Sequence, residues 1–235
     1  MNLKGINAML RTAMLILIAS TLTLLTGCFE IEELIKLNKD GSGTYTMKVD
    51  MSEAGALLAS MGGGDEEGGM MGSLDSTIQE TAKQLRAAEG ISNVRTSSEN
   101  YIMTIIYDFD KVENISAAQA DMESSTPAML PTGSGDSSYE LDVKKRIFKR
   151  VVPDMGDLLG DMEGDDEMAQ GMEMAKMMMK DATYRTTYIF PGKVKSVSNT
   201  DAVIKDSKTV ELEVNFLDLL EQRAQLGNEV KFKKK

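Results

Sequence analysis

Six methionines, Met168, Met172, Met174, Met177, Met178 and Met179, fall within twelve residues of a 235-residue chain that holds 19 in all. Thioethers are soft ligands suited to Cu(I). On a helix, Met168 with Met172 and Met174 with Met178 share a face at i, i+4, so pairs of sulfurs converge. The same side chain is also a flexible filler of cores and adaptable apolar surfaces, and that is its commoner use. A helix over 168–180 would present thioethers on nearly every face, more than one buried face requires. The six are therefore candidate contacts for a lipid, an apolar ligand, a partner or Cu(I). Just before them, Asp161, Glu163, Asp165, Asp166 and Glu167 reach the acidic density of a calcium loop. The EF-hand spacing needs Gly at its sixth position, which counted from Asp161 is Asp166. A solvated charged turn fits this run better.

Other chemistry is excluded by what the chain lacks. It has no His and one Cys, so imidazole-assisted Ser or Cys nucleophiles and His- or Cys-built zinc sites cannot form. Carboxylates are plentiful, but aromatic residues make up only 5% of the chain and Trp is absent. Sugar-cleaving sites usually combine paired carboxylates with stacking aromatics. These features predict a non-enzymatic protein with no catalytic residue and no cofactor.

The first 27 residues read as a leader. Lys4 and Arg11 open it, the apolar run Ala13–Leu25 follows, and no acidic residue occurs before Glu30. This run of thirteen residues, Ser20, Thr21 and Thr23 among them, falls short of the roughly 30 Å of bilayer hydrocarbon, as a cleaved export signal does and a spanning helix does not. The run ends in Leu25-Thr26-Gly27-Cys28, which resembles the lipobox of bacterial lipoproteins. That resemblance implies alkylation of the Cys28 thiol by a diacylglyceryl group, cleavage before Cys28, and acylation of the new amine. A single chain holds a membrane only marginally, whereas two or three hold it stably. Residue 29 is Phe, not the Asp that often retains such proteins in the inner membrane, so an outer-membrane lipoprotein facing periplasm or cell surface is expected. Its membrane contact would run through lipidated Cys28, with an envelope protein or lipid as a further partner.

Removing the leader leaves 208 residues with 24 basic and 37 acidic side chains, a formal charge of −13. Such a surface repels nucleic acid and anionic headgroups at long range. The C-terminal Lys231, Lys233, Lys234 and Lys235 are too few to form a polybasic anchor by themselves.

The exported part, 28–235, reads as one α+β domain of antiparallel hairpins, a C-terminal meander and a few helices. Phe29–Leu37 and Thr44–Met51 form a hairpin around Asp40-Gly41-Ser42-Gly43, with Glu30, Glu32 and Glu33 expected on its solvent face. Ser76–Ala88 is a helix stopped by Gly90, with Ile78, Ala82 and Leu85 on one face. Ile91–Ser97 and Asn100–Phe109 form a second strand pair. Its second strand is apolar on both faces, which predicts a central position. Val112–Met122 is a weaker helix, and Tyr139–Val151 is one long strand or a hairpin bent near Lys144. Thr183–Phe190, Val194–Ser198, Ala202–Ile204 and Thr209–Phe216 make the meander, and Leu217–Ala224 a short helix. Val230 and Phe232 suggest an edge strand guarded by lysines. Gly- and Pro-rich loops are expected near 62–72 and 124–138, and the Met-rich segment spans 154–180.

Leu37-Asn-Lys-Asp-Gly-Ser-Gly-Thr-Tyr45 follows closely on the lipobox. With Tyr188-Ile-Phe-Pro-Gly-Lys-Val194 and the meander of 199–214, it resembles the LppM-type bacterial lipoprotein family. The resemblance implies an exported α+β domain in which an early hairpin meets a late Pro-Gly-Lys-Val strand. It also implies an envelope role for which lipid or glycolipid binding has been proposed. Many relatives carry a C-terminal membrane helix, whereas this sequence closes on lysines. No functional residue carries over.

Overall fold

The computed structural model describes residues 29–55, 70–123, 137–152 and 180–234. Two sheets and their helices enclose one core. Strand β1 (Glu30–Leu37) pairs antiparallel with β2 (Gly43–Asp50). After helix α1 (Met70–Ala87), strands β3 (Ile91–Glu99) and β4 (Ile102–Phe109) extend the same sheet beyond β2. Helix α2 (Glu113–Glu123) leads on to β5 (Ser138–Asp142) and β6 (Ile147–Val151). The late strands are β7 (Thr183–Ile189), β8 (Val194–Val197), β9 (Val203–Ile204) and β10 (Thr209–Asn215), followed by helix α3 (Phe216–Leu220) and β11 (Asn228–Phe232). The larger sheet runs β3-β4-β2-β1-β7-β10-β9 and the smaller β5-β6-β11-β8.

The α+β class agrees with the sequence reading, and the sheet order departs from it in several places. β1 pairs with β7 in parallel, Ile31 beside Tyr184 and Ile35 beside Tyr188, so the larger sheet is mixed and β1 sits at its centre. The apolar β4 lies one strand in from the edge, between β2 and β3. Its Ile102 and Ile106 are only partly buried. The meander is also split. β7, β10 and β9 stay in the larger sheet, while β8 joins the smaller one. There β11 pairs on both sides, with β6 and β8. β11 is therefore an interior strand, and its lysines guard no edge.

Period-2 burial organises both sheets. Ile31, Ile35, Tyr45, Met47, Val49, Tyr107, Tyr188, Val210 and Leu212 turn inward from the larger sheet, and Tyr139, Phe148, Val230 and Phe232 from the smaller. Phe148 meets Tyr188 at 5.1 Å between ring centroids, and Phe190 meets Phe232 at 5.0 Å, joining the layers through aromatic contact. Each such side chain contributes on the order of 1.5–3 kcal/mol when fully buried. Helix α1 presents the face read from its spacing, with Ile78, Ala82 and Leu85 buried. It begins at Met70, six residues before the expected start at Ser76. The turn that ends it places Gly90 at φ 71, where a Cβ would strike the Asn114 and Asp110 side chains. Between β5 and β6 the chain bends at 143–146, with Arg146 donating its amide to the Asp142 carbonyl at 2.8 Å. This settles the hairpin alternative.

Candidate functional site

The polar groups that the sheets bring together lie inside the molecule, in residues the sequence reading did not single out. Glu33 stands on β1 between Ile31 and Ile35, and its parity turns it inward to 2% exposure. The expectation that Glu33 faces solvent with Glu30 and Glu32 is therefore corrected: only those two lie on the outer face, where they pair with Arg185 at 2.9 Å each. Arg150 alternates inward beside Phe148 on β6 and is 2% exposed. Its Nη1 donates to Glu33 Oε2 at 2.6 Å. A charge pair this deep requires its remaining atoms to find partners.

Tyrosines supply most of them. Tyr45 Oη donates to Glu33 Oε1 at 2.8 Å and Tyr139 Oη to the same oxygen at 2.7 Å. Tyr184 Oη lies 3.4 Å from Oε2, and Arg150 Nη1 donates to Tyr188 Oη at 3.2 Å. Gln119 of α2 closes the ring, its amide donating to Tyr45 Oη at 3.1 Å. The guanidinium also lies over the Tyr139 and Tyr184 rings, 5.3 and 5.9 Å from their centroids, a favourable placement for a cation. Tyr107 stacks on Tyr45 at 4.9 Å. Arg150 Nε, Gln119 Oε1 and Tyr107 Oη are buried without a hydrogen-bond partner among the described residues.

The electrostatics follow from depth. Burial pushes the Tyr45, Tyr107, Tyr139 and Tyr184 hydroxyls well above the usual phenol range, with the Glu33 charge adding to the shift. Tyr188 is raised for the same leading reason. For Arg150 burial acts against the charge, but Glu33 and the surrounding hydroxyls outweigh it, so the guanidinium is held above its ordinary value. The cluster is thus a fixed pair of charges sealed by neutral tyrosines. It ties the sheets together with directional bonds and presents none of its charge to solvent. Among the described residues no group of three or more His, Cys, Asp or Glu is arranged to hold a metal ion.

The cluster was partly readable beforehand. Glu33 has the parity of Ile31 and Ile35, so the alternation that assigned β1 also placed a carboxylate on the apolar face. Arg150 has the parity of Phe148. Residues Leu25, Thr26, Gly27 and Cys28, the six methionines and the acidic run 161–167 lie outside the described residues. No helix among those described is long and apolar enough to cross a membrane.

A mixed seven-stranded sheet packed on a four-stranded one defines a two-sheet α+β domain whose interior is pinned by an ion pair. No family model matches the chain, and no curated protein matches it in sequence. Among solved structures, the chain is similar to the NMR structure of the folded domain of LppM from Mycobacterium tuberculosis. The TM-score is 0.44 at 8% identity, over 89% of this chain and 92% of that one.

Proposed function

We propose that this chain is an exported lipoprotein held at a membrane by acylated Cys28, and that its folded part is a non-enzymatic binding or scaffold module. The observation that carries this reading is Leu25-Thr26-Gly27-Cys28 placed directly before the fold. Strand β1 begins at Glu30, and Phe29 already packs edge-on against Phe216 at 5.7 Å. An acylated Cys28 would therefore hold the domain close against the bilayer with almost no tether. The sealed state of Glu33 and Arg150 supports a rigid module over a reactive centre. The absence of Asp at position 29 favours the outer membrane.

The test is direct. Cys28→Ser should abolish acylation and move the protein from the membrane pellet to the soluble fraction. Intact-mass analysis of the wild-type protein should find acyl groups on an N-terminal Cys28. An unmodified or uncleaved N-terminus would overturn the assignment.

A further inference from the structure

The described surface gathers basic residues at one end of the molecule, although the chain as a whole carries a formal charge of −11. In sequence these residues are scattered, and the C-terminal lysines alone are few. The fold assembles them. Arg146 Nη1 donates to the Lys39 carbonyl at 3.3 Å, which joins the β5–β6 turn to the β1–β2 turn. The Phe232 amide donates to the Arg146 carbonyl at 3.0 Å, and the Lys233 amide to the Lys193 carbonyl at 2.7 Å. These bonds place the end of β11 between the β5–β6 turn and the start of β8. Lys39, Lys144, Lys145, Lys193, Lys233 and Lys234 are all exposed there.

The acids at this end are fewer than the cations, though Asp108, Asp110 and Glu113 stand here too, beside Gly43 and Leu141. Asp142 pairs with Lys145 at 3.3 Å, and Glu229 with Lys231 at 3.5 Å. Asp40 accepts from the Ser42 hydroxyl at 2.7 Å, and Asp206 caps its own turn through the Lys208 and Thr209 amides. This leaves a net positive pole. It lies at the Leu37 end of β1, whereas Phe29 marks the opposite end, about 25 Å away for a strand of this length.

We propose that this pole is a docking surface for a linear polyanion bearing phosphate groups. Lysines are compact, flexible point charges that suit phosphate, whereas planar carboxylate recognition favours the Arg fork. The one arginine in the patch is already committed to the Lys39 carbonyl. The charges sit on three turns and a strand end, so they present a broad field, which fits a chain of repeated anions. Nucleic acid is disfavoured because, among the described residues, no aromatic side chain at this end is exposed for base stacking. A bilayer is disfavoured by position, a point that rests on the Cys28 anchoring proposed above: the pole then faces away from the membrane holding the protein.

The experiment uses the full-length chain in a non-ionic detergent, retained on immobilised long-chain inorganic polyphosphate. Retention should weaken steeply with added salt, as ion-driven binding does. Replacing Lys144, Lys193, Lys233 and Lys234 by Glu should weaken it by about tenfold or more. Reversing four cations away from this end, Lys48, Lys83, Lys180 and Arg223, should leave it within about twofold. Free polyphosphate should displace the protein at lower total phosphate than micelles doped with phosphatidylglycerol. Absence of retention even at about 0.01 M salt, equal losses in the two variants, or better displacement by the doped micelles would each overturn the proposal. None of these readings depends on acylation of Cys28, so failure here is distinguishable from failure of the anchoring assignment.

Discussion

Glu33 of the larger sheet and Arg150 of the smaller one, 117 residues apart in sequence, meet at 2.6 Å with both side chains 1% exposed. Removing one partner strands the other as an uncompensated buried charge, which typically costs about 3–5 kcal/mol. Arg150→Met and Glu33→Leu should each lower stability by about that amount in urea denaturation. The double replacement should recover part of the loss, because no uncompensated charge remains although the Tyr45 and Tyr139 hydroxyls lose their acceptor. Independent, additive losses would show that the two groups do not act as a pair.

Five of the six tyrosines are buried in or beside this cluster with their hydroxyl pKa raised, chiefly by burial. Such a group gives its full stabilisation below the unfolded phenol value near pH 10. As pH rises further, the unfolded chain releases protons that the folded one retains, so stability falls. Phenolate absorbance should therefore appear mainly in one cooperative step coincident with alkaline loss of circular dichroism. Smooth independent titration of all six in a still-folded protein would contradict the sealed interior.

Gly43 opens β2 with its backbone pressed between the Lys36 carbonyl and the Phe109 ring, so that any Cβ would clash with both. Gly43→Ala should force the β1–β2 and β2–β4 pairings apart locally. A loss of about 1–3 kcal/mol is expected, the range of overpacked sites. A thermal melt of the variant beside Gly55→Ala, where the flexible Tyr101 ring is the obstacle, checks this; Gly43→Ala should lose more.

Asn215 ends β10 and caps α3, its Oδ1 accepting from the Leu217 and Asp218 amides at 2.9 and 3.3 Å. Its Nδ2 also donates to the Lys180 carbonyl at 2.8 Å. Asn215→Ala removes all three bonds and should cost about 1–2 kcal/mol. Asn215→Asp keeps the cap but not the Lys180 bond, and should fall between, as read by chemical denaturation.

Much of this fold was legible because period-2 alternation is a local signal. β2, β7 and β10 lie within a residue or two of where Tyr45, Tyr188 and Val214 placed them, and Ile78, Ala82 and Leu85 marked the buried face of α1. Sheet membership is not local. Nothing in 194–216 signals that β8 leaves its neighbours for β11, because that choice is made by aromatic contacts such as Phe190 with Phe232. The buried ion pair was half legible: parity placed Glu33 inward, but its sign argued for solvent. Arg150, which reverses that argument, stands in an unrelated hairpin. The Cys28 motif has the opposite character, being read wholly from four adjacent residues.

The parallel pairing of β1 with β7 also governs the order of events for a chain delivered N-terminus first. β1, β2, α1, β3 and β4 are contiguous and can pair as they emerge, yet β1 is the centre of a sheet whose other half comes much later. Tyr184, which contacts Glu33, follows it by 151 residues. Until β6 and β7 arrive, the early half holds a carboxylate on its apolar face with neither Arg150 nor Tyr184 to satisfy it. Long-range closure of this kind is slow. The early half therefore completes its packing only once Arg150, 117 residues after Glu33, has come into place.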